Sequence, residues 1–357
     1  MMKIRVLVVD DSAFMRKVIS DMISSDSDLE VVGTAKNGEE ALQMIVSLRP
    51  NVVTMDVEMP KMDGLTALKQ IMEVSPMPVI MLSSLTTNGA VETLKALDYG
   101  AFDFITKPTS LIKVSTPEIR DELISKIKIA SRTKISKPTF TIRQPRMAQS
   151  IQRDEYSSSS IINRKTKFKK IIAIGTSTGG PRALQDVIPL IPRDIDAGIL
   201  IVQHMPPGFT KSLAERLDGM SQIQVKEAED GDVIYAGVAY LAPGDSHIKV
   251  TKQGGQFVIK LDNGERVSGH KPSVDAMMYS IAALNDKNVI GVIMTGMGAD
   301  GADGLKLVKE RNGFVIAQDE DSCVVFGMPK STIKLGVVDK VVSLNNIANE
   351  IVKAMEV

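Results

Sequence analysis

The sequence predicts two α/β domains, each a doubly wound parallel sheet, joined by a linker, with a β-hairpin region added to the second. Three observations predict it. Short apolar, β-branched runs alternate with helical periodicity from residue 4 to about 130, and again from 168 onward. A stretch rich in Ser, Lys, Arg and Pro without clear periodicity separates the two halves. The length, 357 residues, suits two domains. The expected boundaries are 1–125, a flexible basic Ser-rich linker over 126–168, and 169–357.

In the first half, strands are expected at 4–9, 30–35, 52–55, 78–82 and 102–105. Helical spacing falls at 13–25, 38–48, 64–74 and 88–98, and a helix over 117–130 closes the domain. Such alternation implies parallel strands with right-handed crossovers and helices on both faces. In the second half, strands are expected at 170–174, 198–203, 223–226, 238–242, 247–251, 256–261, 289–294 and 314–317. The stretch 223–261 reads as hairpins, with Gly254-Gly255 as a turn signal.

Aromatic residues make up only 4% and Trp is absent, so the cores must be aliphatic and methionine-rich. The single cysteine, Cys323, excludes an internal disulfide and lies in the apolar run Cys323-Val324-Val325-Phe326, as a buried, inert thiol would. Formal charges cancel, yet residues 126–170 carry thirteen Lys or Arg against Asp154 and Glu155, a local +11. With few interleaved aromatics, that tract reads as a solvated linker rather than a nucleic-acid surface. No apolar run spans a bilayer. The run Val6-Leu7-Val8-Val9 stops at two aspartates, too short for a secretory signal, so a cytoplasmic location without membrane insertion is expected.

Strand ends in the first half carry Asp10-Asp11, Asp56, Ser83 and Lys107. In an open parallel sheet, ligands bind beyond the carboxyl ends of strands. Three carboxylates there would repel one another unless a hard cation, Mg²⁺ above all, neutralised them. Lys107 supplies a positive charge and Ser83 a hydroxyl for a phosphoryl oxygen. These are the parts of a phosphoryl-accepting site. On these residues, positions 1 to about 125 resemble the receiver domain of two-component response regulators. The resemblance implies that Asp56, in Thr54-Met55-Asp56-Val57-Glu58-Met59-Pro60, is the phosphorylated aspartate. It implies that Asp11, assisted by Asp10, and the carbonyl of Glu58 are metal ligands, and that Phe104 is the aromatic switch residue. Asp63-Gly64 matches the loop that follows the phosphosite.

In the second half, the strand Ile171-Ile172-Ala173-Ile174 runs into Gly175-Thr176-Ser177-Thr178-Gly179-Gly180-Pro181 and a helix. A glycine-rich turn of this kind holds either a phosphate or a nucleophile. A dinucleotide site asks for a carboxylate at the end of the next strand, but that strand ends in Gln203-His204, and no Walker lysine follows the turn. A serine nucleophile needs a base and a group that orients the base. His204 stands at the next strand end, and Asp300 lies on Thr295-Gly296-Met297-Gly298-Ala299-Asp300-Gly301 after the strand 289–294. Asp303 is a rival carboxylate on the same loop, while Ser177 and Asp300 could each simply cap a helix. The order Ser…His…Asp differs from that of α/β-hydrolases.

These motifs, together with Gln203-His204-Met205-Pro206-Pro207-Gly208-Phe209-Thr210 and His270-Lys271-Pro272-Ser273-Val274-Asp275, resemble the catalytic domain of chemotaxis receptor protein-glutamate methylesterases. The resemblance covers about 168–357. It implies hydrolysis of glutamyl γ-methyl esters on the cytoplasmic part of chemotaxis receptors, with glutamine deamidation as a second activity. Ser177 is then the nucleophile, His204 the base and Asp300 the orienting carboxylate. Backbone N–H groups near Thr178 and Met297 are the oxyanion candidates, and a chemotaxis histidine kinase is the phosphodonor. No cofactor is expected in the second domain. Thr176 and Ala299 depart from the residues expected there, and His247 matches no catalytic position. A nucleotide-binding transferase or a phosphorylation-gated receptor-binding adaptor are the competing readings.

Overall fold

Five apolar runs build the first sheet: β1 (Ile4–Val9), β2 (Leu29–Ala35), β3 (Val52–Asp56), β4 (Val79–Ser83) and β5 (Asp103–Thr106). The computed structural model describes residues 3–107, 116–133 and 166–356. The chain divides into two compact units, Met1–Phe140 and Thr141–Val357. In the first, all pairings are parallel in the order β2-β1-β3-β4-β5. The order reverses between β1 and β3, which brings Asp10 beside Asp56 at the switch point. Helices α1 (Ala13–Ser24), α2 (Gly38–Leu48), α3 (Gly64–Val74), α4 (Thr87–Asp98) and α5 (Pro117–Ala130) connect and close it. Ser12, Asn37, Asp63 and Thr86 cap the first four through their side chains.

Helix α5 runs past residue 125, burying Leu123, Ile127 and Ala130. The helix expected over 117–130 is thus observed, and Lys126 and Lys128, which the expected boundary at 125 puts in the linker, lie on it. Lys126 pairs with Asp103 at 3.2 Å and Glu122 at 2.8 Å, and Lys128 with Asp26 at 2.8 Å. The rest of the linker expectation, residues 134–165, lies outside the described residues.

The second unit has a seven-stranded sheet. Its strands are β6 (Lys170–Thr176), β7 (Ala197–Gln203), β8 (Gln224–Glu227), β9 (Val238–Leu241), β12 (Val289–Ile293), β13 (Phe314–Gln318) and β14 (Lys340–Val342). The order is β14-β13-β12-β6-β7-β9-β8, parallel throughout. The hairpin expectation for 223–261 holds only in part. The strands β10 (His247–Gln253) and β11 (Gln256–Asp262) form an antiparallel pair, but β8 and β9 join the main sheet. The sequence misses β14, a short, largely exposed edge strand. Helices α6 (Gly180–Val187), α7 (Phe209–Met220), α8 (Val274–Ala283), α9 (Ala302–Glu310), α10 (Met328–Lys334) and α11 (Leu344–Ala354) complete the unit. The core packs aliphatic β6, β7 and β12 side chains against Val274, Met277, Met278 and Ile281 of α8. Among the described residues no helix is long and apolar enough to cross a membrane.

The turn from β3 to α3 passes so close that a Cβ on Gly64 would meet the Asp56 carbonyl oxygen at 2.0 Å. A backbone atom cannot yield as a side chain can. Gly64→Ala is expected to destabilise the first unit by about 1–3 kcal/mol, read as a lower thermal unfolding midpoint.

Candidate active site

In the first unit the predicted carboxylates converge. Oxygen atoms of Asp10, Asp11 and Asp56 all lie within 4.8 Å of one another. Asp10 is fully buried, Asp56 nearly so, and Asp11 is exposed. Lys107 Nζ bridges Asp10 Oδ2 at 2.7 Å and Asp56 Oδ2 at 2.6 Å. Burial pushes Asp56 up to about 6 even though the Lys107 charge opposes the shift. Burial lowers Lys107, but Asp56 and Asp10 outweigh it and hold the ammonium above its ordinary range. The cluster floors a cleft of about 540 Å³ lined by Asp11, Asp56, Glu58, Ser84 and Lys107, among others. Three hard oxygen donors at this spacing fit a Mg²⁺ ion.

Two predicted receiver residues face elsewhere. The Ser83 hydroxyl donates to the Gly89 carbonyl at 3.1 Å and accepts from Thr93 Oγ1 at 2.6 Å. Its neighbour Ser84 lines the cleft instead. Phe104 is buried, and Lys126 donates to its carbonyl at 2.7 Å.

In the second unit, Thr176 pairs with Gln203 across β6 and β7, so Ser177 and His204 are the next residues on neighbouring strands. The His204 N–H donates to the Thr176 carbonyl at 3.2 Å, and the Ser177 N–H to that of Thr295 at 3.0 Å. Ser177 does not cap α6. The cap position is Gly179, at φ 77°, and it offers no side chain. On the other flank, a Cβ on Gly296 would lie 2.8 Å from Ser177 Cβ, so the loop bearing Met297 abuts the serine. The Thr178 carbonyl accepts from Thr295 Oγ1 at 2.9 Å.

His204 Nε2 lies 2.7 Å from Asp300 Oδ2. Asp300 also accepts from Ser273 Oγ at 2.8 Å, the Val274 N–H at 2.7 Å and the Asp275 N–H at 2.9 Å. It thus caps a helix, but α8 rather than the α9 that follows it. Burial alone would raise Asp300. The His204 hydrogen bond and charge, with the helix N–H groups, instead hold it below the ordinary carboxylate range. An ionised Asp300 accepts the Nε2 proton, which leaves the lone pair on Nδ1. That Nδ1 is buried with no hydrogen-bond partner among the described residues. The rival Asp303 is exposed.

Several residues of this site escape sequence reasoning. Asp275 is buried, accepts from Ser268 Oγ at 2.6 Å and the Gly304 N–H at 2.7 Å, and so serves the start of α9. Burial raises its pKa and the Asp300 charge adds to the effect. His247 is buried: Nδ1 accepts from the Ser273 N–H at 3.2 Å and Nε2 donates to the Glu265 carbonyl at 2.9 Å. His270 stacks on His204, centroids 3.9 Å apart. Gln318 accepts from the Thr295 N–H at 2.8 Å. A polar residue at a strand end was the available signal for Gln318, and a serine at a helix start for Ser273. The motif from His270 to Asp275 already marked His270, as a substrate-side or structural residue, and Asp275, without a contact for either, and no signal existed for His247. Cys323 is half-buried rather than buried.

Residues 172–351 match the CheB methylesterase family and residues 6–116 the response regulator receiver domain. A protein-glutamate methylesterase/protein-glutamine glutaminase of Pyrococcus abyssi is 50% identical over 354 residues, 99% of this chain and 94% of that protein. The chain belongs to the CheB methylesterase family. A second relative with the same description, from Archaeoglobus fulgidus, is 48% identical over 356 residues, 99% of this chain and 98% of that protein. The crystal structure of the Thermotoga maritima CheB methylesterase catalytic domain is 47% identical, with a TM-score of 0.50. It covers 52% of this chain and 97% of that one. The family therefore accounts for both units, as the motifs implied.

Two outcomes follow from these charges. The folded Asp300 pKa lies below its unfolded value, so its stabilisation is complete at neutral pH and is lost as pH falls through that depressed pKa. Acid unfolding of Asp300→Asn, starting from a lower neutral stability, is expected to show a shallower pH dependence than wild type below the ordinary carboxylate range. Burial pushes the Cys323 thiol up to about 12. Native protein at pH 8 is expected to react with a thiol reagent on the order of a thousandfold more slowly than free cysteine, and at the ordinary rate once unfolded.

Proposed function

We propose that this protein hydrolyses glutamyl γ-methyl esters on the cytoplasmic region of chemotaxis receptors, releasing methanol, and that phosphorylation of Asp56 controls the rate. One observation carries the catalytic reading: a histidine tethered through Nε2 to a buried carboxylate, its Nδ1 unpartnered among the described residues, next to a serine on the adjoining strand.

His204 Nδ1 takes the hydroxyl proton as Ser177 Oγ attacks the ester carbonyl. The tetrahedral oxyanion is stabilised by the N–H groups of Thr178 and Met297, about 3–4 kcal/mol for each donor. The imidazolium, held by Asp300, returns its proton to the leaving methoxide, and methanol departs from a Ser177 acyl-enzyme. His204 Nδ1 then takes a proton from water as its oxygen attacks the acyl carbonyl, and the imidazolium returns that proton to Ser177 Oγ as the acyl bond breaks, releasing glutamate. A glutamine side chain can follow the same course, with ammonia as the leaving group. A nucleotide reading loses ground, because the Gln203 amide is occupied by the Ser177 and His204 carbonyls and offers no ribose ligand.

In the receiver, Asp56 accepts a phosphoryl group from a chemotaxis histidine kinase. Asp10, Asp11 and Asp56, with the Glu58 carbonyl, would hold Mg²⁺. That cation, when bound, offsets carboxylate charge and polarises the phosphoryl group. Lys107 stays within ion-pair reach of Asp56, and Ser83 must leave Gly89 and Thr93 to reach a phosphoryl oxygen. The enzyme is assigned to the cytoplasm, where kinase and receptor helices meet it.

Methanol release from methyl-labelled receptor membranes tests the reading. Wild type is expected to be active and Ser177→Ala reduced by about 10³-fold or more. A small phosphodonor with Mg²⁺ is expected to stimulate wild type and leave Asp56→Ala unchanged. Full activity in Ser177→Ala, or equal stimulation of both proteins, would overturn the respective half.

A further inference from the structure

The Ser177 and His204 backbones leave the sheet where ladder hydrogen bonds run out. The last ladder bond is His204 N–H to the Thr176 carbonyl. Beyond it stand the carbonyls of Ser177, which accepts from the Gly180 N–H at 2.7 Å within its own turn, and of His204. One buried amide spans them. Gln203 Nε2 donates to the Ser177 carbonyl at 3.0 Å and to the His204 carbonyl at 3.2 Å. Its Oε1 accepts from the Thr176 hydroxyl at 2.6 Å. Thr176 is fully buried and Gln203 is 2% exposed. The reversed amide would set Oε1 against two carbonyl oxygens, so the carbonyls and the hydroxyl select one orientation. Room for the amide exists only because position 180 is glycine. A Cβ there would meet Gln203 Oε1 at 1.9 Å and Thr176 Oγ1 at 2.8 Å.

We infer that Gln203, oriented by the Thr176 hydroxyl, is a positioning residue that fixes the nucleophile-bearing turn relative to the base-bearing strand end. It touches neither substrate nor the moving proton. It ties together the two peptide units from which Ser177 and His204 project. An error of about 1 Å in such a pair costs on the order of a hundredfold in rate. Thr176, a departure from the expected residue, thereby acquires a role: its hydroxyl does what a methyl group at that position could not. The inference rests on the hydrolase reading of Ser177 and His204.

The test compares full-length wild type with Thr176→Ser, Thr176→Val, Gln203→Met and Gly180→Ala. Three quantities are read: kcat and KM for methanol release, the rate of Ser177 labelling by a fluorophosphonate, and the thermal midpoint. Gln203→Met is expected to lower kcat and the labelling rate by about 10- to 100-fold with KM within about twofold. Thr176→Val, which keeps the volume and loses the donor, is expected to show a smaller loss of the same kind. Thr176→Ser is expected to match wild type. Gly180→Ala is expected to resemble Gln203→Met. Wild-type labelling rates in a folded Gln203→Met would overturn the inference, as would equal losses in Thr176→Ser and Thr176→Val. If Gln203→Met fails to fold, the Ser and Val pair at 176 decides. A wild-type protein that neither labels nor releases methanol would refute the hydrolase reading itself, and this inference with it.

Discussion

The second unit depends on one buried carboxylate at one helix end. Asp300 is 2% exposed, and a bare charge there would cost several kcal/mol. It is offset by four donors: Ser273 Oγ, two N–H groups of the first turn of α8, and the His204 imidazole. The α8 dipole adds up to ~2 kcal/mol at a buried end. Because the helix satisfies the anion, the imidazole need not be protonated to keep it charged. Asp275 returns the favour to α9 by accepting from Gly304. Two helices thus exchange carboxylates, and the position of the carboxylate that holds His204 is tied to the packing of α8 against α9.

Around that exchange sits a frame of neutral hydrogen bonds. His247 anchors the Ser273 backbone and the Glu265 carbonyl, so the segment that brings His270 onto His204 is held at both ends. Nothing in that frame moves a proton, yet each contact narrows where His204 can point. The receiver cluster solves the same problem differently. Its carboxylates lean on Lys107, with contacts of 2.6 and 2.7 Å, and only Asp10 among them also accepts from a helix cap among the described contacts, the Ser12 N–H at 2.9 Å. A lysine can release one carboxylate and keep the other, which suits a site whose charge must change. A helix terminus cannot, which suits a site whose charge must stay.

Most of the architecture was legible in the sequence because strands of a parallel sheet tend to be continuous apolar runs, and eleven of the twelve described here were placed within a few residues. Strand-end residues were legible for the same reason: polarity returning after an apolar run marks the sheet edge. That logic singled out Asp10, Asp56, Lys107, Ser177 and His204, and pointed to Asp300 on the loop after β12. It could not tell that β8 and β9 join the parallel sheet, since short alternating strands look alike in either setting. Nor could it see Asp275 or His247, whose roles arise from contacts between segments far apart in the chain. Lys126 was read as part of a basic tract, although its stem lies on the buried face of α5. Charge counts along a sequence carry no information about which lysines fold inward.

The orientation of the His204 ring follows from strand order. The sheet runs β12-β6-β7, so Asp300 after β12 and His204 after β7 stand on opposite sides of the strand that bears Ser177. Two interstrand spacings, roughly 10 Å, separate those strands. An imidazole that starts on β7 and ends on the β12 loop must pass over β6. Its far nitrogen, Nε2, then reaches the carboxylate, and its near nitrogen, Nδ1, is buried without a hydrogen-bond partner among the described residues. The carboxylate contact thus falls on Nε2, where the common template uses Nδ1. The strand order thus lets one imidazole reach from the end of β7 to the Asp300 loop across the strand that carries Ser177. The chain order Ser, His, Asp is the linear trace of that arrangement, with β6 laid down first at the centre and its neighbours added on either side.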